Sequence, residues 1–118
     1  MNFEIFIFGL LILLFDIPFI TFVMAPMYKN IGLAKNTKII FVICAYFIMI
    51  SSWFLINEDI IKGDIIKAAL TGFVIYGVYV FTLAAILPGY TFLMGLTELI
   101  WGILLYVLVT FIIKKIKH

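Results

Sequence analysis

The sequence contains no arginine, one cysteine and one histidine, and these shortages exclude several classes of protein. The eight basic residues are all lysine, and against six acidic residues they leave a net charge of +2, too small to indicate nucleic acid binding. The single cysteine, Cys44, cannot form a disulfide within the chain. His118 is the last residue, and metal-ligand spacings, a nucleophile elbow and a phosphate-binding loop are all missing. We therefore expect no enzyme activity, no metal site and no cofactor.

What the sequence has in abundance is apolar surface. Of its 118 residues 67% are hydrophobic and only 12% are charged. A chain this short has too little interior to hide that much apolar surface from water. A lipid bilayer removes the difficulty, because a helix needs about 20 mostly apolar residues to cross roughly 30 Å of hydrocarbon. The composition therefore predicts an integral membrane protein.

Four apolar runs separated by short polar segments predict four membrane-spanning helices within a single domain, residues 1–118. Because the connections are short, neighbouring helices are expected to be antiparallel. The fold class is therefore predicted to be all-α, an integral membrane four-helix bundle. The predicted spans are residues 3–24, 39–56, 65–87 and 92–113.

The breaks between the spans rest on particular residues. Pro26 resists continuing a helix and biases Ala25 away from helical angles, so the first span is expected to end there and a loop to cover 25–38. Trp53, after two serines, is expected to mark the interfacial end of the second span. The charged segment 57–64 is predicted to be the second loop, and Pro88-Gly89-Tyr90 the third.

The distribution of lysines predicts the orientation. With four spans, the two termini and the second loop share one side, which carries five lysines, whereas the first loop carries three. Lysine is enriched on the cytoplasmic side of membrane proteins, so both termini are predicted to face the cytoplasm, or the equivalent face of a viral membrane. The protein is expected in a cell membrane or a viral membrane.

Two acidic residues, Asp16 and Glu98, lie well inside the predicted spans. An ionisable side chain at the bilayer centre costs about 2.5–3.5 kcal/mol even on the mildest scale, so such residues usually face the bundle interior. One interpretation is structural, with each acid making interhelical hydrogen bonds. The other is transport of a proton or small solute. The two acids lie at similar depth, and they could share a proton if the first and fourth spans touch.

Other residues of the third and fourth spans reach the same layer. Glycines at helical spacing, Gly72 in the third span and Gly95 and Gly102 in the fourth, let helices approach closely. Tyrosine hydroxyls on the third span could serve as partners for a carboxyl. The candidate intramembrane polar site comprises Asp16, Tyr76, Tyr79, Thr82, Glu98 and Trp101.

Several short motifs resemble those of the domain of unknown function 2177 family, bacterial membrane proteins with relatives in large DNA viruses. The family has an Asp in its first span, followed by Pro-x-Tyr and then Ile-Gly or Leu-Gly. Its third span has Ala-Leu-x-Gly followed by Tyr-Gly-x-Tyr, and its fourth has Asp-x-x-Trp-Gly. The matching segments here are Asp16, Pro26-Met27-Tyr28, Ile31-Gly32, Ala69-Leu70-Thr71-Gly72, Tyr76-Gly77-Val78-Tyr79 and Glu98-Leu99-Ile100-Trp101-Gly102.

The resemblance covers nearly the whole chain and implies four spans, but the family has no established activity. Val80 and Leu83 stand where the family has Asp and Asn, so any chemistry that used those polar groups would be lost here. The first expectation is a structural or interaction component of a membrane, whose partners are the lipid bilayer and either further copies of the chain or other membrane proteins. A small-solute or proton-linked carrier using Asp16 and Glu98 is the alternative, and a membrane enzyme has the least support.

Overall fold

The computed structural model describes residues 2–30 and 39–117, and within them every element is helical. The fold is therefore the all-α membrane bundle that the sequence predicts. The predicted loop residues 31–38 and His118 lie outside the described residues. The helices are α1 (Asn2–Phe19), a π-helical segment (Ile20–Met24), α2 (Ala25–Asn30), α3 (Ile39–Ser51), α4 (Trp53–Lys62), α5 (Ile65–Ile86) and α6 (Phe92–Lys117).

The first helix does not end at Pro26, where the sequence predicts an end, but continues to Asn30. The π-helical segment explains why. Within it the hydrogen bonds span five residues, and the Ala25 N–H reaches back to the Ile20 carbonyl. Such local widening re-satisfies backbone groups that a membrane proline would otherwise leave unpaired. Pro26, in the first turn of α2, can therefore be accommodated without ending the helix.

The second predicted span is a broken helix. The chain bends by 52° between α3 and α4 at Ser52. The helix then continues to Lys62 through most of the charged segment that the sequence assigns to a loop. It ends at Gly63, whose φ of 81° is left-handed and favours glycine, and the Asp64 N–H bonds back to the Asp59 carbonyl at 2.8 Å. Asp64 also caps α5, accepting from the Lys67 N–H at 3.1 Å, so the connection is only two residues long.

The closest helix packing is between α5 and α6, where two glycines face each other. A Cβ on Gly72 would lie 2.3 Å from the Gly102 carbonyl oxygen, so only glycine permits this approach. The buried residues of α5 recur every four positions: Ala68, Gly72, Tyr76 and Val80. Val80 thus completes this face, whereas Tyr79, a residue of the predicted polar site, lies beside it and is exposed.

Three helical stretches in the described residues are long and apolar enough to cross a membrane, and the bent α3–α4 pair makes a fourth if it is one span. The three are Glu4–Met27, Ile65–Ile86 and Phe92–Lys117. The first and last are antiparallel, because Lys117 lies 3.4 Å from Glu4 at one end of the bundle. Large apolar side chains such as Phe6, Leu55 and Phe22 cover the outside, as a lipid-facing surface requires.

Candidate intramembrane polar site

The Asp16 carboxyl accepts hydrogen bonds from three helices. Tyr46 of α3 donates to Oδ2 at 2.5 Å, Tyr76 of α5 donates to Oδ1 at 3.1 Å, and the Trp101 indole of α6 donates to Oδ1 at 2.8 Å. Asp16 itself, on α1, is only 2% exposed. These four residues, here named the Asp16 cluster, therefore join α1, α3, α5 and α6 through one carboxyl group.

Two neighbours fix the donors in place. The Trp101 ring stacks on Phe19, with centroids 4.7 Å apart and planes 8° from parallel, which orients the indole N–H toward Asp16. On the other side, the Tyr76 ring lies directly against Gly102, where an added Cβ would come within 2.2 Å of ring carbons. A glycine one residue after Trp101 thus leaves the room that brings Tyr76 to the same carboxyl.

A second polar group lies at the break between α3 and α4. The Ser52 hydroxyl donates to the Met49 carbonyl at 2.6 Å and lies 3.0 Å from the Tyr106 hydroxyl of α6. Trp53 follows and packs on Phe8 of α1, with ring centroids 5.3 Å apart. Ser52 and Trp53 are 8% and 3% exposed, so this segment is buried between the helices, and the chain continues past it as a helix to Lys62.

Glu98 is buried, at 5% exposed, as its cost in hydrocarbon predicts. Its Oε1 accepts from the Tyr90 hydroxyl at 2.6 Å. Tyr90 is itself buried and lies in the turn between α5 and α6, so this bond holds the turn against the first part of α6. The two acids therefore have different donors: Asp16 joins separate helices, whereas Glu98 anchors a connection.

Of the six residues in the predicted site, the structure brings Asp16, Tyr76 and Trp101 into direct contact. Glu98 is one helical turn from Trp101 on α6. Tyr79 is 45% exposed, although its ring meets that of Tyr76 edge-on at 6.4 Å. Thr82 is exposed on the outside of α5.

Sequence reasoning missed four polar partners: Tyr46, Ser52, Tyr90 and Tyr106. One signal was available for Tyr46 and Tyr106. Membrane tyrosines are usually concentrated at the two interfaces, yet both of these lie deep inside apolar runs. A buried tyrosine hydroxyl usually has a hydrogen-bond partner, so each position pointed to a polar group on another helix.

Among the described residues, no three His, Cys, Asp or Glu side chains are grouped so that they could hold a metal ion. The Asp16 carboxyl is surrounded instead by uncharged donors. The Trp101 indole N–H can only donate, so Oδ1 must act as an acceptor toward it. The arrangement suits a fixed acceptor that holds helices together inside an apolar medium.

The helical bundle, its apolar outer surface and its buried polar centre define an integral membrane protein of the α-helical class. Residues 2–113 match the family described as predicted membrane protein (DUF2177), and the chain belongs to that family. This confirms the resemblance found in the sequence motifs. No curated protein and no solved structure matches the chain.

Proposed function

We propose that this protein is a structural or interaction component of its membrane and is not an enzyme. The observation that supports the proposal is the convergence of Tyr46, Tyr76 and Trp101 on Asp16. Each donor comes from a different helix, so one carboxyl fixes the relative positions of four helices. In hydrocarbon the helices cannot rely on the hydrophobic effect to associate, and packing and hydrogen bonds take its place.

This arrangement favours a structural protein over a carrier. A carrier must move its helices apart around the binding group during alternating access. Here such movement would separate Asp16 from three donors at once and leave buried polar groups unpaired. The Gly72–Gly102 approach and the Phe19–Trp101 stack would be disrupted as well. The interior is therefore arranged to resist the motion that a carrier needs.

The proposal includes four membrane crossings, with the bent α3–α4 pair as one of them. The contacts of this pair support a crossing: Tyr46 bonds Asp16, Ile50 packs against Gly9, and Trp53 packs on Phe8. Later residues of the pair thus meet earlier residues of α1, as an antiparallel span would.

The positions of the two ends of the α3–α4 pair also support a crossing. Ile39 begins α3 about 10 Å before the level of Tyr46, at 1.5 Å rise per residue. At the other end, Gly63 follows α4 and lies against the Lys114 side chain, near the C-terminal end of α6. A re-entrant hairpin would instead bring the two ends of the pair back to one side.

We further propose that the face carrying Glu4, Gly63 and Lys117 is cytoplasmic, or the equivalent face of a viral membrane. Lys114, Lys115 and Lys117 close α6 on this face, and Lys62 and Lys67 flank the α4–α5 turn. That lysine excess agrees with the usual positive-inside bias. Besides lipid, the partners would be further copies of the chain or other membrane proteins.

A double variant separates the structural function from proton or solute transport. Asp16→Asn with Glu98→Gln keeps hydrogen-bonding capacity and removes both titratable groups. We expect the purified double variant in liposomes to remain folded with a small loss of thermal stability, and the wild type to show no pH-driven flux above protein-free liposomes. A wild-type flux that disappears in a stable double variant would contradict the structural proposal.

A further inference from the structure

A cavity of ≈ 470 Å³ opens at the lysine-rich end of the bundle. Its volume falls within the usual range of ligand sites, roughly 300–1,000 Å³. Five residues line it and define what is here named the lysine cavity: Gly63, Ile65, Phe111, Lys114 and Lys115. It lies between the first residue of α5 and the last turns of α6, which are the ends of two candidate membrane spans. The cavity is therefore at the level of the bilayer surface.

The lysine cavity has an apolar part and a cationic part. Ile65 and Phe111 are both about half exposed, at 47% and 49%, and face the surroundings of the bundle where lipid chains lie. Lys114 and Lys115 follow Phe111 on α6, and the Lys115 ammonium lies 5.2 Å from the centre of the Phe111 ring. An occupant that matches this cavity must place an apolar chain against Ile65 and Phe111 and a negative charge beside Lys114 and Lys115.

The two cavity lysines differ from Lys67 and Lys117 of the same face in having no carboxylate partner in residues 2–30 and 39–117. Lys117 lies 3.4 Å from Glu4, and Lys67 lies 4.0 Å from Asp59. Within the described part of the chain, no such ion pair neutralises Lys114 or Lys115. Two neighbouring unneutralised ammonium groups beside a cavity attract an anion.

Gly63 contributes the space for this arrangement. A Cβ at position 63 would lie 2.2 Å from the Lys114 Cδ, so the stem of Lys114 crosses the glycine directly. With φ of 81° the residue also turns the chain from α4 into α5. The turn thus places the start of α5 beside the last turns of α6 and leaves the cavity between them.

We propose that the lysine cavity binds the headgroup of an anionic phospholipid, whose phosphate pairs with Lys114 and Lys115 while an acyl chain lies along Ile65 and Phe111. Basic pockets between membrane helices are suited to such headgroups. The occupant is an intact lipid and not a free phosphate, because the apolar wall continues into the lipid-facing surface. The inference does not depend on whether the bundle is structural or a carrier.

The first experiment counts lipids that stay bound to the protein. The wild-type protein is placed in nanodiscs that contain both phosphatidylglycerol and phosphatidylcholine. It is then released from the nanodiscs with its bound lipids and examined by native mass spectrometry. We expect at least one retained phosphatidylglycerol, with a preference over phosphatidylcholine on the order of tenfold for two surface lysines. Lys114→Gln with Lys115→Gln should remove the preference, and Lys114→Arg with Lys115→Arg should keep it.

The matched control is Lys62→Gln with Lys117→Gln, which removes the same charge from the same face but lies outside the cavity. We expect this control to keep the preference. Equal loss in both glutamine double variants would mean general surface attraction and would overturn the proposal. Equal retention of the two lipids by the wild type would also overturn the proposal. A third contradicting result would be that inorganic phosphate alone stabilises the protein against unfolding as much as phosphatidylglycerol does.

A second measurement leaves all lysines in place, in case the glutamine double variant fails to fold. The Phe111→Trp variant puts an indole in the cavity wall, and lipids brominated on the acyl chain quench a nearby indole. We expect brominated phosphatidylglycerol, at equal mole fraction, to quench the added fluorescence more than brominated phosphatidylcholine. Equal quenching by the two lipids would overturn the proposal.

Discussion

Trp101 donates its indole N–H to Asp16 at 2.8 Å, and its ring stacks on Phe19, which follows Asp16 by three residues on the same helix. One side chain of α6 is thereby held to α1 by a hydrogen bond and by ring contact at adjacent turns. The contact fixes the rotation of the two helices about their axes. Tyr46 and Tyr76 then complete the Asp16 cluster from the remaining helices.

Replacing Asp16 should distinguish the loss of an acceptor from the loss of a charge. In Asp16→Asn the amide oxygen can take the place of Oδ1, and the amide N–H can donate to Tyr46, which can turn to accept. We expect a loss of about 1 kcal/mol or less. Asp16→Leu leaves the buried Tyr76 and the partly buried Tyr46 and Trp101 without their acceptor and should cost roughly 2–4 kcal/mol. Unfolding in mixed micelles measures the stability of both variants. Equal losses of stability in the two variants would contradict the proposal that the Asp16 cluster holds the helices together.

Gly102→Ala should be destabilising, with Gly77→Ala as its matched control. A Cβ at 102 would lie 2.2 Å from the Tyr76 ring, whereas at 77 the nearest such atom is Leu99 Cδ1 at 3.8 Å. Overpacking of this kind typically costs about 1–3 kcal/mol, and the control should change stability by no more than about 0.5 kcal/mol. Thermal unfolding provides the comparison. Similar stability of the two variants would show that α5 and α6 do not approach each other this closely.

Tyr90→Phe should loosen the α5–α6 turn, because the buried Glu98 carboxyl loses a donor at 2.6 Å. We expect a loss of roughly 1–3 kcal/mol, as for other buried charged groups that lose a hydrogen bond. Thr82→Val, on the exposed face of α5, is the control and should change stability by less than about 0.5 kcal/mol. Proteolysis near Pro88 and thermal unfolding are the measurements. Unchanged cleavage and unfolding in Tyr90→Phe would remove Tyr90 as the anchor of the turn.

Cysteine labelling tests the proposed topology, in a Cys44→Ser background. We expect Glu58→Cys and His118→Cys to react with an impermeant maleimide from the cytoplasmic side, and Asn36→Cys and Pro88→Cys from the opposite side. Glu58 is the informative position, since it lies exposed near the end of α4. If Glu58→Cys and Asn36→Cys react from one side, α3 and α4 form a re-entrant hairpin and not a crossing.

Sequence patterns predicted the class of protein because the bilayer imposes strong constraints on composition. Long apolar runs can only be membrane helices here, and the burial of Glu98 follows from the cost of a carboxyl in hydrocarbon. The same patterns predicted poorly where helices end. Pro26 resembles a loop signal, yet it lies in a helix because the π-helical segment before it accommodates the proline. The charged segment 57–64 also resembles a loop, yet it is helical as far as Lys62, and only the αL residue Gly63 ends the helix.

The tertiary structure decided which polar groups meet, and the physical reason lies in the solvent. In water a helix shows its buried side by apolar residues at helical spacing. In lipid the outward face is as apolar as the inward one, so spacing does not show that Val80 is buried and Tyr79 half exposed. The acids Asp16 and Glu98, inside apolar runs, indicated that the bundle has buried polar groups. The Asp16 partners Tyr46, Tyr76 and Trp101 depend on the rotations and crossing points of three other helices, which only packing fixes.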